Sequence, residues 1–109
     1  MVSQPKALIV DDEPSSRATI EAMLSSENYE LYFAENGAQA LSMASEIRPD
    51  IILLDVMMPG MNGFEVCKKF RLMPYLTEVP IVFVTALDDQ ESQMAGIKAG
   101  ADDFVTKPF

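Results

Sequence analysis

At 109 residues and 12.0 kDa, with 49% hydrophobic residues, the chain suits one domain with a core of ordinary size and leaves no room for a second. Its 17 acidic residues against 8 basic ones give a formal charge of -9, which argues against direct nucleic-acid binding, because a phosphate backbone needs Lys and Arg. One cysteine, no apolar leader with a basic flank, and no apolar run near ~18 residues point to a protein of a reducing cytoplasm, neither disulfide-built nor membrane-inserted.

Short β-branched runs alternate with stretches of helical period, the pattern of βαβ units around a parallel sheet. A first strand, Lys6–Val10, leads through Asp11-Asp12-Glu13 into a helix that Pro14 starts, and Ile20, Met23 and Leu24 share one face of it. Tyr29–Ala34 is a second strand, polar enough for a sheet edge. Asn36-Gly37 then opens a helix whose Ala40, Leu41, Ala44 and Ile47 make one buried stripe. Pro49 ends that helix ahead of a third strand, Ile51–Leu54. The third helix is predicted from Gly63 to Met73, with Val66, Phe70 and Met73 facing inward and Cys67 beside them as an inert core residue. Ile81–Val84 is the fourth strand. Asp88-Asp89 caps a helix over Gln90–Ala99, which Gly100 terminates in the left-handed conformation. A fifth strand, Asp103–Thr106, runs into Lys107-Pro108-Phe109, and no linker, repeat or low-complexity segment interrupts the chain.

With all five strands parallel, Asp11, Asp12, Asp55, Thr85 and Lys107 gather at the edge where open α/β sheets bind ligands. Taken singly these residues are ordinary: Asp11-Asp12-Glu13 reads as a helix cap, Lys107 as a solvated charge, Thr85 as a β-branched strand residue. Gathered, they need compensation, since carboxylates about 5 Å apart repel by roughly 3 kcal/mol per pair at an effective dielectric near ~20. A hard divalent cation supplies it, and Mg2+ favours one or two carboxylates together with waters and phosphate oxygens. Asp55, which closes the run Ile51–Leu54, is then placed to attack phosphorus and carry an aspartyl phosphate. Asp11 and Asp12 hold the metal, directly or through water. Lys107 and the Thr85 hydroxyl hold the equatorial oxygens of the phosphoryl group in flight.

The segments Leu8-Ile9-Val10-Asp11-Asp12-Glu13, Leu53-Leu54-Asp55-Val56-Met57-Met58-Pro59-Gly60-Met61-Asn62-Gly63, Thr85-Ala86 and Lys107-Pro108-Phe109, in this order and spacing, resemble the response-regulator receiver domain of two-component signalling. The resemblance covers the whole chain, residues 1–109. It implies a flavodoxin-like, doubly wound α/β fold with five parallel strands in the order 2-1-3-4-5. It also implies phosphorylation of Asp55 by a sensor histidine kinase or phosphotransfer protein with Mg2+, and a conformational change that controls an output rather than turnover of a substrate. By position, Asp12 and Asp55 would bind Mg2+ through their side chains and Met57 through its backbone carbonyl, with Asp11 acting mostly through water. Thr85 and Phe104 would form a coupled switch in which the threonine vacates space that the aromatic fills. Phe104 has no hydroxyl, so this coupling rests on packing.

Receivers normally continue into a fifth helix after Lys-Pro-Phe. The chain is therefore expected to stop short of that helix and to expose an apolar strip beside the first helix, open to an output segment or to self-association. Met57 and Leu87 flank the site with apolar side chains, which predicts slow self-dephosphorylation.

Three other functions compete. An Asp-nucleophile, Mg2+-dependent phosphatase of the haloacid dehalogenase type needs a second acid two residues after the nucleophile, where this chain has Met57. A flavodoxin-like redox module must cradle a cofactor phosphate in its first loop, and Asp11-Asp12-Glu13 would repel it. A receiver-like interaction module that is never phosphorylated has no need of an intact Asp55, Thr85 and Lys107.

Overall fold

A computed structural model describes residues 4–107, so the motif residues Pro108 and Phe109 lie outside the described residues. The elements follow in the order β1 Lys6–Val10, α1 Pro14–Leu24, β2 Glu30–Ala34, α2 Gly37–Ile47, β3 Ile51–Leu54, α3 Gly63–Arg71, a 3-10 turn Pro74–Leu76, β4 Ile81–Thr85, α4 Gln90–Ala99 and β5 Asp103–Thr106. Every strand pairing is parallel and the order is β2-β1-β3-β4-β5, so the polar β2 does sit at an edge.

Successive side chains of a strand point to opposite faces, and here each face has its own core. Leu8, Val10, Ile52, Leu54 and Phe83 pack beneath α2, α3 and α4, whose Ala40, Ala44, Val66, Cys67, Phe70 and Ala99 are buried against them. Ala7, Ile9 and Val84 face the other way, against Ile20 of α1. Cys67 is fully buried, and burial pushes its thiol up to about 11, which suits an inert core residue.

The starts of α2, α3 and α4 are capped as their residue types dictate, whereas α1, entered through Pro14, has no side-chain cap bond from Glu13. Asn36 and Asp89 accept from the amides of Gln39 (2.8 Å) and Ser92 (2.9 Å), and Asn62 forms a reciprocal capping box with Glu65. Gly100 ends α4 with φ 111°, the left-handed value its position predicts. Helix α3 stops at Arg71, short of the predicted Met73. Leu72 and Met73 close tight turns onto Lys69 and Phe70 (3.1 and 3.0 Å) because Pro74 excludes a further helical turn. Met73 still packs on the core.

Arg71 fastens this end of the sheet. Its Nε donates to the Gly100 carbonyl (2.8 Å), its Nη1 to the Leu76 (2.9 Å) and Val79 (2.6 Å) carbonyls, and its Nη2 pairs with Asp102 (2.9 Å). Asp102 in turn accepts from the Ile81 amide at 3.0 Å, so one side chain ties α3, the 3-10 turn, the start of β4 and the end of α4.

Met23, which shares one face of α1 with Ile20 and Leu24, is 53% exposed. It lies with Ile20, Leu53, Val82, Val84 and Val105 along an apolar groove of about 170 Å³, the strip anticipated beside the first helix. No helix among the described residues is long and apolar enough to cross a membrane.

Candidate functional site

The site is assembled by hydrogen bonds that carry the sheet one residue past its strands. The Asp11 amide donates to Ala34 (3.0 Å), the Asp55 amide to Val10 (3.0 Å) and the Lys107 amide to Thr85 (2.7 Å). Each residue that follows a strand is thus aligned with its neighbours by the same register that pairs the strands. Asp11, Asp55 and Thr85 are buried and Asp12 is half-buried.

One carboxylate oxygen from each of Asp11, Asp12 and Asp55 lies within 4.8 Å of the other two. The Lys107 ammonium approaches Asp11 Oδ2 at 2.7 Å and Asp55 Oδ2 at 3.4 Å. Burial raises the Asp55 pKa above the usual carboxylate value of 3.8; Lys107 opposes this, Asp11 reinforces it, and the Thr85 hydroxyl and Met57 amide oppose it more weakly. Lys107 is raised above 10.5: burial disfavours its charge, but the hydrogen bond to Asp11 and the charges of Asp55 and Asp11 outweigh that cost. One cation therefore faces three carboxyl groups, and an oxygen-only donor set short of positive charge fits a hard divalent ion.

The loop after β3 adds an open depression of about 470 Å³ lined by Asp12, Val56, Met57, Met58, Pro59 and Asn62. Met57 is 61% exposed, and its amide lies 3.4 Å from Asp55 Oδ1. Gly63, the first residue of α3, holds this loop close. A Cβ there would stand 2.1 Å from the Asp55 carbonyl oxygen, and its amide donates to Val56 at 2.8 Å.

Thr85 Oγ1 accepts weakly from the Leu87 amide at 3.4 Å. Phe104 is half-buried, its ring centroid 5.8 Å from that of Phe83, and a Cβ on Gly96 of α4 would meet it at 3.0 Å. Phe83 pairs with Phe104 and Thr85 with Thr106, so Thr85 and Phe104 are diagonal neighbours on one face of the sheet.

All the residues singled out in the sequence and described here converge on this edge, with Phe104 one step behind it. Ser16 was missed. It lies in the first turn of α1, and its Oγ accepts from Lys107 Nζ at 2.9 Å. The available signal was its position four residues after Asp12, on a helix that starts at the same strand end.

A five-stranded parallel sheet in this order, with acids and a lysine at its carboxyl edge, defines a class of signalling domain. The sequence matches the family described as response regulator receiver domain over residues 7–109, and the chain belongs to that family. It is 48% identical over 104 residues to the response regulator PleD of Caulobacter vibrioides, covering 95% of this chain and 23% of that protein. It is 42% identical over 104 residues to the DNA-binding response regulator MtrA of Mycolicibacterium smegmatis, covering 95% of this chain and 44% of that protein. The chain thus spans less than half the length of either relative. Among solved structures, the chemotaxis protein CheY4 of Vibrio cholerae superposes with a TM-score of 0.93 at 36% identity, covering 98% of this chain and 89% of that one.

Proposed function

We propose that Asp55 accepts a phosphoryl group from a sensor histidine kinase or phosphotransfer protein in the cytoplasm, and that the resulting change at Thr85 and Phe104 controls an output beyond this chain. The observation that carries this reading is the cluster of three carboxylates with Lys107 lodged between Asp11 and Asp55. Asp55 is the nucleophile: it ends β3, and its carboxylate is held on one side by Lys107 and on the other by the Met57 amide. Asp11, Asp12, Asp55 and the Met57 carbonyl would hold Mg2+, which supplies charge neutralisation for the phosphoryl oxygens when bound.

Lys107 offers a fixed positive charge to a phosphoryl oxygen, and the Thr85 hydroxyl a donor. A turn of Thr85 toward that group frees space on the face it shares with Phe104. The half-buried Phe104 ring then shifts against Phe83 and Gly96, which passes the change to α4 by packing. Kinship with PleD and MtrA supports an output in a further segment. The acidic charge of this chain supports the reading that any DNA contact is made by that segment. Met57 supplies no second acid for a phosphatase, which favours a stoichiometric acceptor over a turnover enzyme.

Incubation with phosphoramidate, a P–N donor chemically akin to phosphohistidine, should add one base-labile phosphoryl group in Mg2+ and none in excess chelator. Intact mass reads the result. Unchanged mass in Mg2+, or sustained release of inorganic phosphate from phosphoesters, would overturn the proposal.

A further inference from the structure

We infer that Ser16 is a positioning residue for Lys107 in phosphoryl transfer, an inference that rests on Asp55 being the acceptor. A lysine ammonium has three N–H donors on a flexible four-carbon stem, so its position is set only when several acceptors hold it. Lys107 Nζ has three: Asp11 Oδ2 at 2.7 Å, Ser16 Oγ at 2.9 Å and Asp55 Oδ2 at 3.4 Å. They come from the loop after β1, the first turn of α1 and the end of β3, and so fix the ammonium from three directions.

Ser16 is the neutral member of the set. It anchors Nζ without adding a negative charge to a site that already holds three carboxyl groups, and without competing for it against an incoming phosphoryl anion. The longest of the three contacts is the one to Asp55, whose carboxylate is converted to an acyl phosphate. Asp11 and Ser16 then keep the ammonium in place while its third N–H turns to a phosphoryl oxygen. Without the Ser16 hydroxyl, the short contact to Asp11 draws Nζ away from the reacting carboxylate.

The fold supplies this hydroxyl at a defined place. Pro14 starts α1 directly after Glu13, which leaves Ser16 half-buried in the first turn facing Lys107, whereas Ser15 beside it is exposed. Ser15→Ala is accordingly a control with the same loss of a hydroxyl from the same turn.

The test is the rate of acetyl phosphate labelling of the full chain in saturating Mg2+, with the Lys107 ammonium followed by 15N NMR. Ser16→Ala should lower the limiting rate roughly tenfold, as expected for one hydrogen bond to a charged group, and leave the half-saturating donor concentration within about twofold. The ammonium resonance should move. Ser16→Thr, which keeps the hydroxyl, should restore rate and resonance, and Ser15→Ala should change neither. A wild-type limiting rate in Ser16→Ala, a loss confined to half-saturation, or failure of Ser16→Thr to rescue would overturn the inference alone. No labelling of the wild type would overturn the acceptor role of Asp55 and this inference with it.

Discussion

Two cations sit among carboxyl and carbonyl groups at opposite ends of the sheet, Lys107 beyond its carboxyl edge and Arg71 before the amino ends of β4 and β5. The Arg71 cluster is balanced: one guanidinium faces one carboxylate, from Asp102, and its Nε and Nη1 donate to main-chain carbonyls. The Lys107 cluster is not. One ammonium serves a site with three carboxyl groups, and Asp55 is left with a raised pKa. The balanced end joins four elements through contacts within the chain. The unbalanced end gives up some stability in the metal-free protein and retains an attraction for positive charge and for the group that positive charge binds.

The largest way to break the contrast is at the balanced end. Arg71→Ala removes the donor from several main-chain carbonyls and should cost about 3 kcal/mol, a fall in Tm of roughly 15 °C by calorimetry that Mg2+ does not selectively repair. Lys107→Ala should cost less, about 1–2 kcal/mol in chelator, since it leaves like charges facing each other. Added Mg2+ should recover part of that loss, because a cation replaces a cation. Equal and metal-insensitive losses in the two variants would erase the distinction.

A smaller effect comes from proton linkage at Asp55. Its folded pKa lies above 3.8, so between that value and the folded one the native state binds more protons than the unfolded state. In the metal-free protein the unfavourable contribution of Asp55 therefore diminishes as pH falls through the folded pKa, and returns as pH rises. Asp55→Asn should remove this term and raise metal-free stability at neutral pH by roughly 1 kcal/mol or less, as denaturant titration across pH can measure.

The two ends also differ in how far the sequence discloses them. Asp11, Asp55 and Lys107 directly follow β-branched strands, and a parallel register brings such positions together whatever their separation in the chain. Arg71 gave no such signal, and Ser16 only its spacing from Asp12. A serine in a first helical turn and an arginine on an amphipathic helix are ordinary surface residues until the tertiary fold supplies their partners. The same limit applies to α3, whose apolar pattern continues through Leu72 and Met73 although Pro74 forbids the helix. Met23 shares a face of α1 with the buried Ile20 but stands over a groove that no described residue covers. The strand order came from the family resemblance, and Asn62-Gly63, one stretch of the motif after Asp55, proves to be a helix cap joined to a close backbone approach.

We propose that the charge imbalance around Asp55 serves to receive a phosphoryl group there. The most direct test is intact mass with peptide mapping of the wild type and Asp55→Asn after acetyl phosphate and Mg2+. One base-labile phosphoryl group on the wild type, mapped to Asp55 and missing from the variant, is the expected result; equal labelling of the two proteins would contradict the account.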